Sequence, residues 1–507
     1  MSSVKGSLLV AGTTSDAGKS VLTAGLCRWL HRRGVRVAPY KAQNMSNNSM
    51  VTADGAEIGR AQWVQALAAG VEPEAAMNPV LLKPGSDRRS HVVVMGQPFG
   101  ELEAASFAGS RAPLVEAAHA AYDDLAARHD VVVCEGAGSP AEINLRAHDY
   151  VNMGLARHAG MPTVVVGDID RGGVFAAMFG TTALLDAKDQ ALVCGYVVNK
   201  FRGDPGLLGP GLRMLQTVTG RPVLGVLPWV QGVWMDSEDA LDVSARAEVV
   251  DDEPVLRVAV VRLPRISNFT DVDALGIEPN VEVRFVDSVA AVADADVVVL
   301  PGTRATVADL GWLRDRGLDA ALRRRAERGA PILGICGGFQ MLGDRIDDRA
   351  GAESQYPQQE VGLGLLAAYT VFGDEKTLGR PSGRWRGTRV TGYAIHHGRV
   401  EVDGGEPFLD GCRQGAVWGT SWHGALEHDD FRRAWLREVA AQAGRDDFVP
   451  RPDTSFGGLR EARLDALADA VEEHLDTEAL LSLVTDGAPA DLPFVPPGAV
   501  GVDATTL

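Results

Sequence analysis

The stretch Val10-Ala11-Gly12-Thr13-Thr14-Ser15-Asp16-Ala17-Gly18-Lys19-Ser20 decides how the rest of the chain is read. It follows a short apolar run, Leu8-Leu9-Val10, and precedes Val21, Leu22, Leu26, Trp29 and Leu30 at helical spacing. Strand, glycine-rich loop and helix in that order are the setting of a phosphate-binding loop. The glycines let backbone N–H groups turn toward phosphate oxygens, and the helix N-terminus adds a partial positive charge. Gly12, Thr13, Asp16 and Gly18 then belong to the cradle, Lys19 reaches the β- and γ-phosphates, and the Ser20 hydroxyl holds Mg²⁺. The alternative, a glycine-rich turn that binds nothing, leaves Gly-Lys-Ser at the strand-to-helix junction without a reason. One detail departs from the common spacing. Five residues separate Gly12 from Gly18.

Working outward, the chain has 507 residues, a hydrophobic content of 46% and a formal net charge of −18. At about 150 residues per domain, that length predicts two to four domains. The acidic balance is spread along the chain and argues against nucleic acid as the main partner. It leaves room for a local basic cleft that takes anionic substrates. No charged-then-apolar leader stands at the start, and no apolar run approaches the ~20 residues of a membrane helix. The five cysteines, Cys27, Cys134, Cys194, Cys336 and Cys412, are scattered and form no C-x-x-C pair. A disulfide scaffold or zinc ribbon is therefore not expected, and a reducing cytoplasm is.

In the first half, Val-rich runs alternate with helical stretches. Val35–Ala38, Val131–Cys134, Thr163–Val166 and Leu192–Val198 read as parallel strands covered on both faces. Ligands of such sheets gather at the carboxyl ends of the strands, where the polar residues here also fall. Lys41 follows one run, Glu135-Gly-Ala-Gly138 another, Asp168-Ile-Asp170-Arg171 a third, and Asn199-Lys200-Phe-Arg202 a fourth. A carboxylate at such an end is a natural Mg²⁺ partner, with Glu135 as first choice and Asp54 as second.

The first unit is expected over residues 1–228 and a linker over 229–254, ending in Asp251-Asp-Glu-Pro254. A second α/β unit is expected over 255–450, with strands at Leu256–Val261, Val281–Val286 and Val297–Leu300. Gly334-Ile-Cys336-Gly-Gly338 has the small-x-nucleophile-x-small form of a nucleophile elbow. The helix N-terminus favours the thiolate, and the Gly337 N–H faces a developing oxyanion. A structural buried cysteine would not need glycines on both sides. Two places can supply a base: His423 in Trp422-His423-Gly424, and His396 or His397 in Tyr393-Ala-Ile-His396-His397-Gly398. Beyond Phe448, Leu464, Leu467, Ala468, Val471, Leu475 and Leu480 outline an amphipathic helix. The stretch Gly487–Leu507, rich in Pro and Gly, is expected to be mobile. Arg323-Arg-Arg325 reads as a solvated helix face.

Several long motifs now converge on one family. The loop with five intervening residues is similar to that of dethiobiotin synthetases. Tyr40-Lys41-Ala-Gln-Asn-Met, Val51-Thr-Ala-Asp54-Gly-Ala-Glu57-Ile-Gly-Arg60, Met77-Asn-Pro-Val-Leu-Leu-Lys83-Pro, Glu135-Gly-Ala-Gly-Ser-Pro-Ala-Glu142, Asp168-Ile-Asp-Arg-Gly-Gly-Val and Asn199-Lys-Phe-Arg-Gly-Asp resemble those of the cobyric acid synthases. These are glutamine-dependent amidases of cobalamin biosynthesis, and the likeness runs from the first strand to near residue 450.

The resemblance implies two doubly wound α/β domains, a phosphate-loop domain like dethiobiotin synthetase and a flavodoxin-like class I glutamine amidotransferase domain. It implies ATP, Mg²⁺, L-glutamine and the corrinoid adenosylcobyrinic acid a,c-diamide as cofactors and substrates. The product would be amidated at the b, d, e and g carboxylates. Cys336 would release ammonia from glutamine through a thioester, with Gly302 and Gly337 as oxyanion donors. The resemblance selects His423 as base and leaves His396 structural or close to glutamine. Lys41 would assist at the transferred phosphate or the carboxylate, Asn199 would read the nucleotide base, and ammonia would travel internally. Arg60, Arg146, Arg171 and Arg202 are candidates for substrate carboxylates. Many class I amidotransferases carry Glu two residues after the histidine, but Ala425 stands there, so the third member is open between Glu427 and a backbone carbonyl. A homo-oligomer is compatible with the sequence; a nucleic-acid or membrane partner is not expected. The runner-up is a cobyrinic acid a,c-diamide synthase, and a partition-type ATPase switch is a distant third.

Overall fold

The computed structural model describes residues 4–84, 89–103, 111–230, 254–353 and 356–498. Two compact units emerge, and neither is continuous in sequence. The first comprises residues 1–45, 56–236 and 460–507; the second comprises 46–55 and 237–459. Most of the expected linker, residues 231–253, lies outside the described residues.

The first unit is built on six parallel strands. Their spatial order is Val223–Pro228, Val193–Phe201, Thr163–Asp168, Gly6–Gly12, Val131–Glu135 and Val37–Tyr40. Leu9 faces Thr163 on one side and Cys134 on the other, so the first strand is central. Chain order reverses at this strand, the place where open α/β sheets bind ligands. The Val-rich runs are buried because helices cover both faces, as the sequence predicts. A smaller mixed sheet of Gln43–Met45, Val80–Pro84, Arg89–Val94 and Gln97–Glu103 was not anticipated.

The end of the chain completes this unit. Leu464, Leu467, Ala468, Val471, Leu475, Leu480, Leu483 and Val484 share one core with Leu8, Val10, Leu22, Leu26 and Trp29. These C-terminal residues lie on the helices Phe456–His474 and Thr477–Asp486, except Leu475, which lies between them. Arg28 bonds Asp465 at 2.8 Å and Glu461 at 2.9 Å on this seam. The stretch after Gly487, expected to be mobile from its composition, is tied down as far as it is described. Val495 is buried and exchanges two hydrogen bonds with Gln190, and the Arg221 guanidinium donates to the Pro493 carbonyl at 2.8 Å. Residues 499–507 lie outside the described residues.

The second unit has a seven-stranded sheet. Its order is Val281–Val286, Leu256–Val261, Val297–Leu300, Ile332–Ile335, Val417–Thr420, Gly411–Gln414 and Glu406–Phe408. The first five pair in parallel and the last two turn back antiparallel. Ile332 and Val298 lie in a core shared with Leu310, Leu322 and Phe339. A second sheet carries the strand Ala394–Val402, which holds the Tyr393–Gly398 motif in place. Arg325 is not solvated as its run of arginines suggested. It is buried, and its guanidinium donates to the carbonyls of Ala295 at 2.7 Å, Val292 at 2.9 Å and Asp296 at 2.9 Å. Those carbonyls lie at the end of a short helix, Val289–Asp294, whose own last turn carries no basic residue.

Candidate active site

In the first unit, the strand Gly6–Gly12 ends where the loop begins. The Thr13 N–H still donates to Val166 O at 2.9 Å, so the loop springs from the sheet itself. Ser15–Ala17 form a single tight turn, and Gly18 adopts φ +95° just before the helix Lys19–Arg32. That left-handed conformation is why a glycine stands there. The Lys19 ammonium folds back over the loop. It donates to the carbonyls of Thr14 at 2.9 Å, Ser15 at 3.0 Å and Gly138 at 3.2 Å.

Glu135 gathers the polar residues expected around the loop. Ser20 Oγ donates to its Oε1 at 2.8 Å, Lys41 Nζ to the same oxygen at 2.9 Å, and Gln65 Nε2 to Oε2 at 2.6 Å. Burial is the largest single influence on the Glu135 carboxyl and pushes it toward the neutral form. Lys41, Gln65 and Lys19 together outweigh it and hold the group below its ordinary range. A hydroxyl and an ionised carboxylate side by side are hard oxygen donors, which suits Mg²⁺. Among the described residues no cluster of three or more His, Cys, Asp or Glu could hold a metal. One carboxylate is enough where substrate phosphates and water complete the shell.

Other residues singled out from the sequence fall as follows. The Asn199 amide donates to Ala17 O at 2.9 Å and so touches the back of the loop. Lys200 Nζ bonds Asp168 at 2.8 Å and Asp16 O at 2.7 Å, while Arg171 pairs with the Asp16 carboxylate at 2.8 Å. Asp54 is counted with the second unit, where its carboxylate accepts from Thr52 Oγ1. Arg60 is buried with its guanidinium over the Trp63 ring. Arg146 is bidentate on Asp189 at 2.6 and 2.7 Å. Arg171 and Arg202 have mostly exposed side chains.

In the second unit, Cys336 sits between the strand Ile332–Ile335 and the helix Gly337–Leu342 with φ +50° and ψ −112°. A non-glycine residue held there is strained, the mark of an elbow that presents its side chain. The turn is fixed by Cys336 N–H to Thr420 O at 2.8 Å and Gln340 N–H to Cys336 O at 3.0 Å. It is tight enough to dictate its neighbours: a Cβ on Gly338 would lie 1.9 Å from Leu300 O.

His423 is brought to Cys336. Its imidazole lies close enough to Cys336 to be influenced by the sulfur, whose own contact is Ile395 O at 3.9 Å, and Nδ1 lies 2.6 Å from Asp271 Oδ2. Burial, the strongest influence, favours the neutral ring, but the Asp271 carboxylate and Cys336 prevail and push its pKa up to about 10. A Cβ on Gly302 would stand 3.0 Å from His423 Cε1, and one on Gly337 would stand 3.1 Å from Thr303 N. The two expected oxyanion donors thus border the same pair. Tyr393 stacks on the imidazole at 5.3 Å between centroids, and its backbone exchanges two hydrogen bonds with His423. His396 instead bonds Gly398 O at 2.7 Å through Nδ1, and burial lowers its pKa. Asp271 escaped the sequence reading because it precedes His423 by 152 positions. Its signal was its place: it lies just beyond the strand Leu256–Val261, at the carboxyl edge where sites form.

Comparison with known proteins agrees with both halves. Residues 8–243 match the family model of the CobQ/CobB/MinD/ParA nucleotide-binding domain, and residues 257–431 match the CobB/CobQ-like glutamine amidotransferase domain. The chain is 63% identical to the cobyric acid synthase of Mycolicibacterium gilvum, covering 97% of this chain and 99% of that one. It is 62% identical to that of Streptomyces avermitilis, covering 98% and 100%. The Streptomyces coelicolor protein of the same name is 60% identical over 98% and 100%. No helix among the described residues is long and apolar enough to cross a membrane.

Proposed function

The chain belongs to the cobyric acid synthase family, and from that premise we propose how its residues divide the work of a glutamine-hydrolysing, ATP-dependent amide ligase. The observation that carries the reading is that one chain holds both a phosphate loop with a half-buried Ser20–Glu135 contact and a buried cysteine and histidine side by side. A carboxylate resists amidation because oxide is a poor leaving group. Activation as an acyl phosphate at the expense of ATP removes that obstacle, and ammonia then displaces phosphate.

In the first unit Gly12, Thr13, Asp16 and Gly18 form the cradle and Lys19 neutralises the phosphates. Ser20 and Glu135 would hold Mg²⁺, which when bound offsets the negative charge of the transferring group. Lys41, already fixed on Glu135, stands ready at the phosphoryl group or the substrate carboxylate. Asn199, which supports the loop through Ala17 O, would read the nucleotide base. In the second unit Cys336 attacks the glutamine carboxamide, His423 protonates the departing ammonia, and the Gly302 and Gly337 N–H groups stabilise the oxyanion. Water then hydrolyses the thioester to glutamate.

The substrate we propose is adenosylcobyrinic acid a,c-diamide, amidated at its b, d, e and g carboxylates. The near full-length likeness to proteins named cobyric acid synthase favours this over the a,c-diamide-forming relatives, which share the same domain models. The partition-type switch has no use for the second domain. The test is incubation of the purified chain with the corrin a,c-diamide, ATP, Mg²⁺ and glutamine, followed by mass spectrometry. A ladder of products, each with one more OH replaced by NH₂, is expected. Unchanged corrin with full nucleotide and glutamine present would refute it.

A further inference from the structure

The imidazole of His423 has a carboxylate partner that no motif around it contains. Asp271 is 3% exposed in its side chain and His423 is 1% exposed, so the contact is shielded from water and salt. Both carboxylate oxygens are used within the same motif: Oδ2 meets His423 Nδ1 at 2.6 Å, and Oδ1 accepts the Gly424 N–H at 2.8 Å. A carboxylate gripped by the ring and by the next backbone amide fixes its own position as well as the ring's rotation. With Nδ1 so engaged, the ring's rotation is set and the other nitrogen is left for sulfur.

The turn that bears Asp271 is itself held in an unusual way. Asn268 opens it at φ +49°, a left-handed conformation that asparagine tolerates better than most residues. Asn268 is buried, and its Oδ1 accepts the Ser49 N–H at 3.0 Å. Ser49 lies in residues 46–55, the segment of the N-terminal half that is counted with the second unit. Ser49, Asn268, Asp271 and His423 are all buried and joined in turn by hydrogen bonds or by one short turn.

We propose that Asp271 is the positioning residue for His423 in the glutaminase reaction, and that Ser49 holds Asp271 in place through Asn268. The inference rests on the reading of Cys336 and His423 as the glutamine-hydrolysing pair. Asp271 takes no proton from glutamine and touches no substrate atom. It keeps the ring aimed at the sulfur and balances the imidazolium that delivers a proton to the departing ammonia. The glutaminase pair therefore depends on a peptide encoded some two hundred residues earlier, between Lys41 and Glu57.

The test uses the full chain with the corrin substrate and ATP, driven by glutamine or by ammonium. In Asp271→Asn, kcat with glutamine should fall about 10²-fold, the usual worth of a positioned acid–base group, with KM for glutamine changed less than about twofold. Ammonium-driven amidation should stay at the wild-type rate. Asn268→Ala should lower the same kcat about tenfold, with KM likewise kept. Undiminished kcat in Asp271→Asn overturns the proposal. So does an equal loss with ammonium, which would mark general damage rather than positioning. Undiminished kcat in Asn268→Ala overturns the part played by Ser49. A Cys336→Ala protein that still used glutamine would instead overturn the underlying reading of the pair.

Discussion

Lys41 and Glu135 form an ion pair of 2.9 Å in which the two side chains are only 7% and 1% exposed. Burying both charges is costly, and the cost is met only while they face each other. Lys41→Ala would leave the Glu135 carboxylate with Ser20 and Gln65 alone. We expect a loss of about 3–5 kcal/mol in unfolding free energy, the usual penalty for stranding one member of a buried pair. Lys41→Met combined with Glu135→Gln should recover most of it. Urea denaturation of the single and double variants checks this, and amidation should be lost in both.

The two chemical halves should separate under mutation. On the proposed reading, Cys336→Ala removes the nucleophile and should abolish glutamine-driven amidation, while ammonium should still support it. Lys19→Ala strips the loop of its cation and should abolish amidation from either nitrogen source. Steady-state rates with glutamine and with ammonium, measured side by side, decide the matter. Equal losses in both variants would contradict this division.

The charge on His423 predicts a pH response. Its value of about 10 lies above the ordinary histidine value, so the ring is cationic at neutral pH. The sign follows from linkage: a raised value contributes stability that is complete below the unfolded value near 6.5 and is lost as pH climbs through about 10. Histidine-labelled NMR should place the His423 midpoint near the upper limit. In Asp271→Asn the midpoint should move down, because the opposing carboxylate is gone. Denaturation of His423→Gln should lack that share of the alkaline decline seen in the parent chain.

Packing at the C-terminus gives a stability prediction. Leu480 is 2% exposed and lies in the core of the phosphate-loop unit. Leu480→Ala should cost about 2–5 kcal/mol, as buried leucine truncations do. The loss should appear in the melting of the phosphate-loop unit and in weaker nucleotide binding, with glutaminase turnover by Cys336 less affected. Calorimetry with and without nucleotide would reveal it.

What could be read from the sequence was what local chemistry writes locally. Gly12–Ser20, the glycines around Cys336 and the strand Val417–Thr420 before His423 each carry their signal within a dozen residues, which is why the sequence singles them out. Glu135 was legible because strand ends in parallel sheets collect ligands. Asp271 was not, because its partner lies in another strand's loop and the expected window held Ala425. Asp54 illustrates the converse: its motif sits among phosphate-loop motifs, yet its segment packs with the amidotransferase half. The small sheet of Val80–Pro84 and Arg89–Val94 went unread although Val92-Val93-Val94 is itself a Val run, because its short strands are completed by a parallel pairing of Gln43 with Val80, far apart in the chain. Arg325 looked solvated by composition because nothing in its run names the carbonyls it would clamp.

The return of the last helices to the first core has a consequence for birth on the ribosome. Domains ordinarily fold in the order they emerge. Here Leu8 and Val10 wait for Leu464, Leu467 and Val471, which are made after the strands of the second unit. The amidotransferase unit, whose strands are all made by Thr420, can close first. The nucleotide-binding core then closes after the amidotransferase strands are made, and a ribosome that stalls between Thr420 and Leu464 would release an amidotransferase sheet whose companion core still lacks its closing helices.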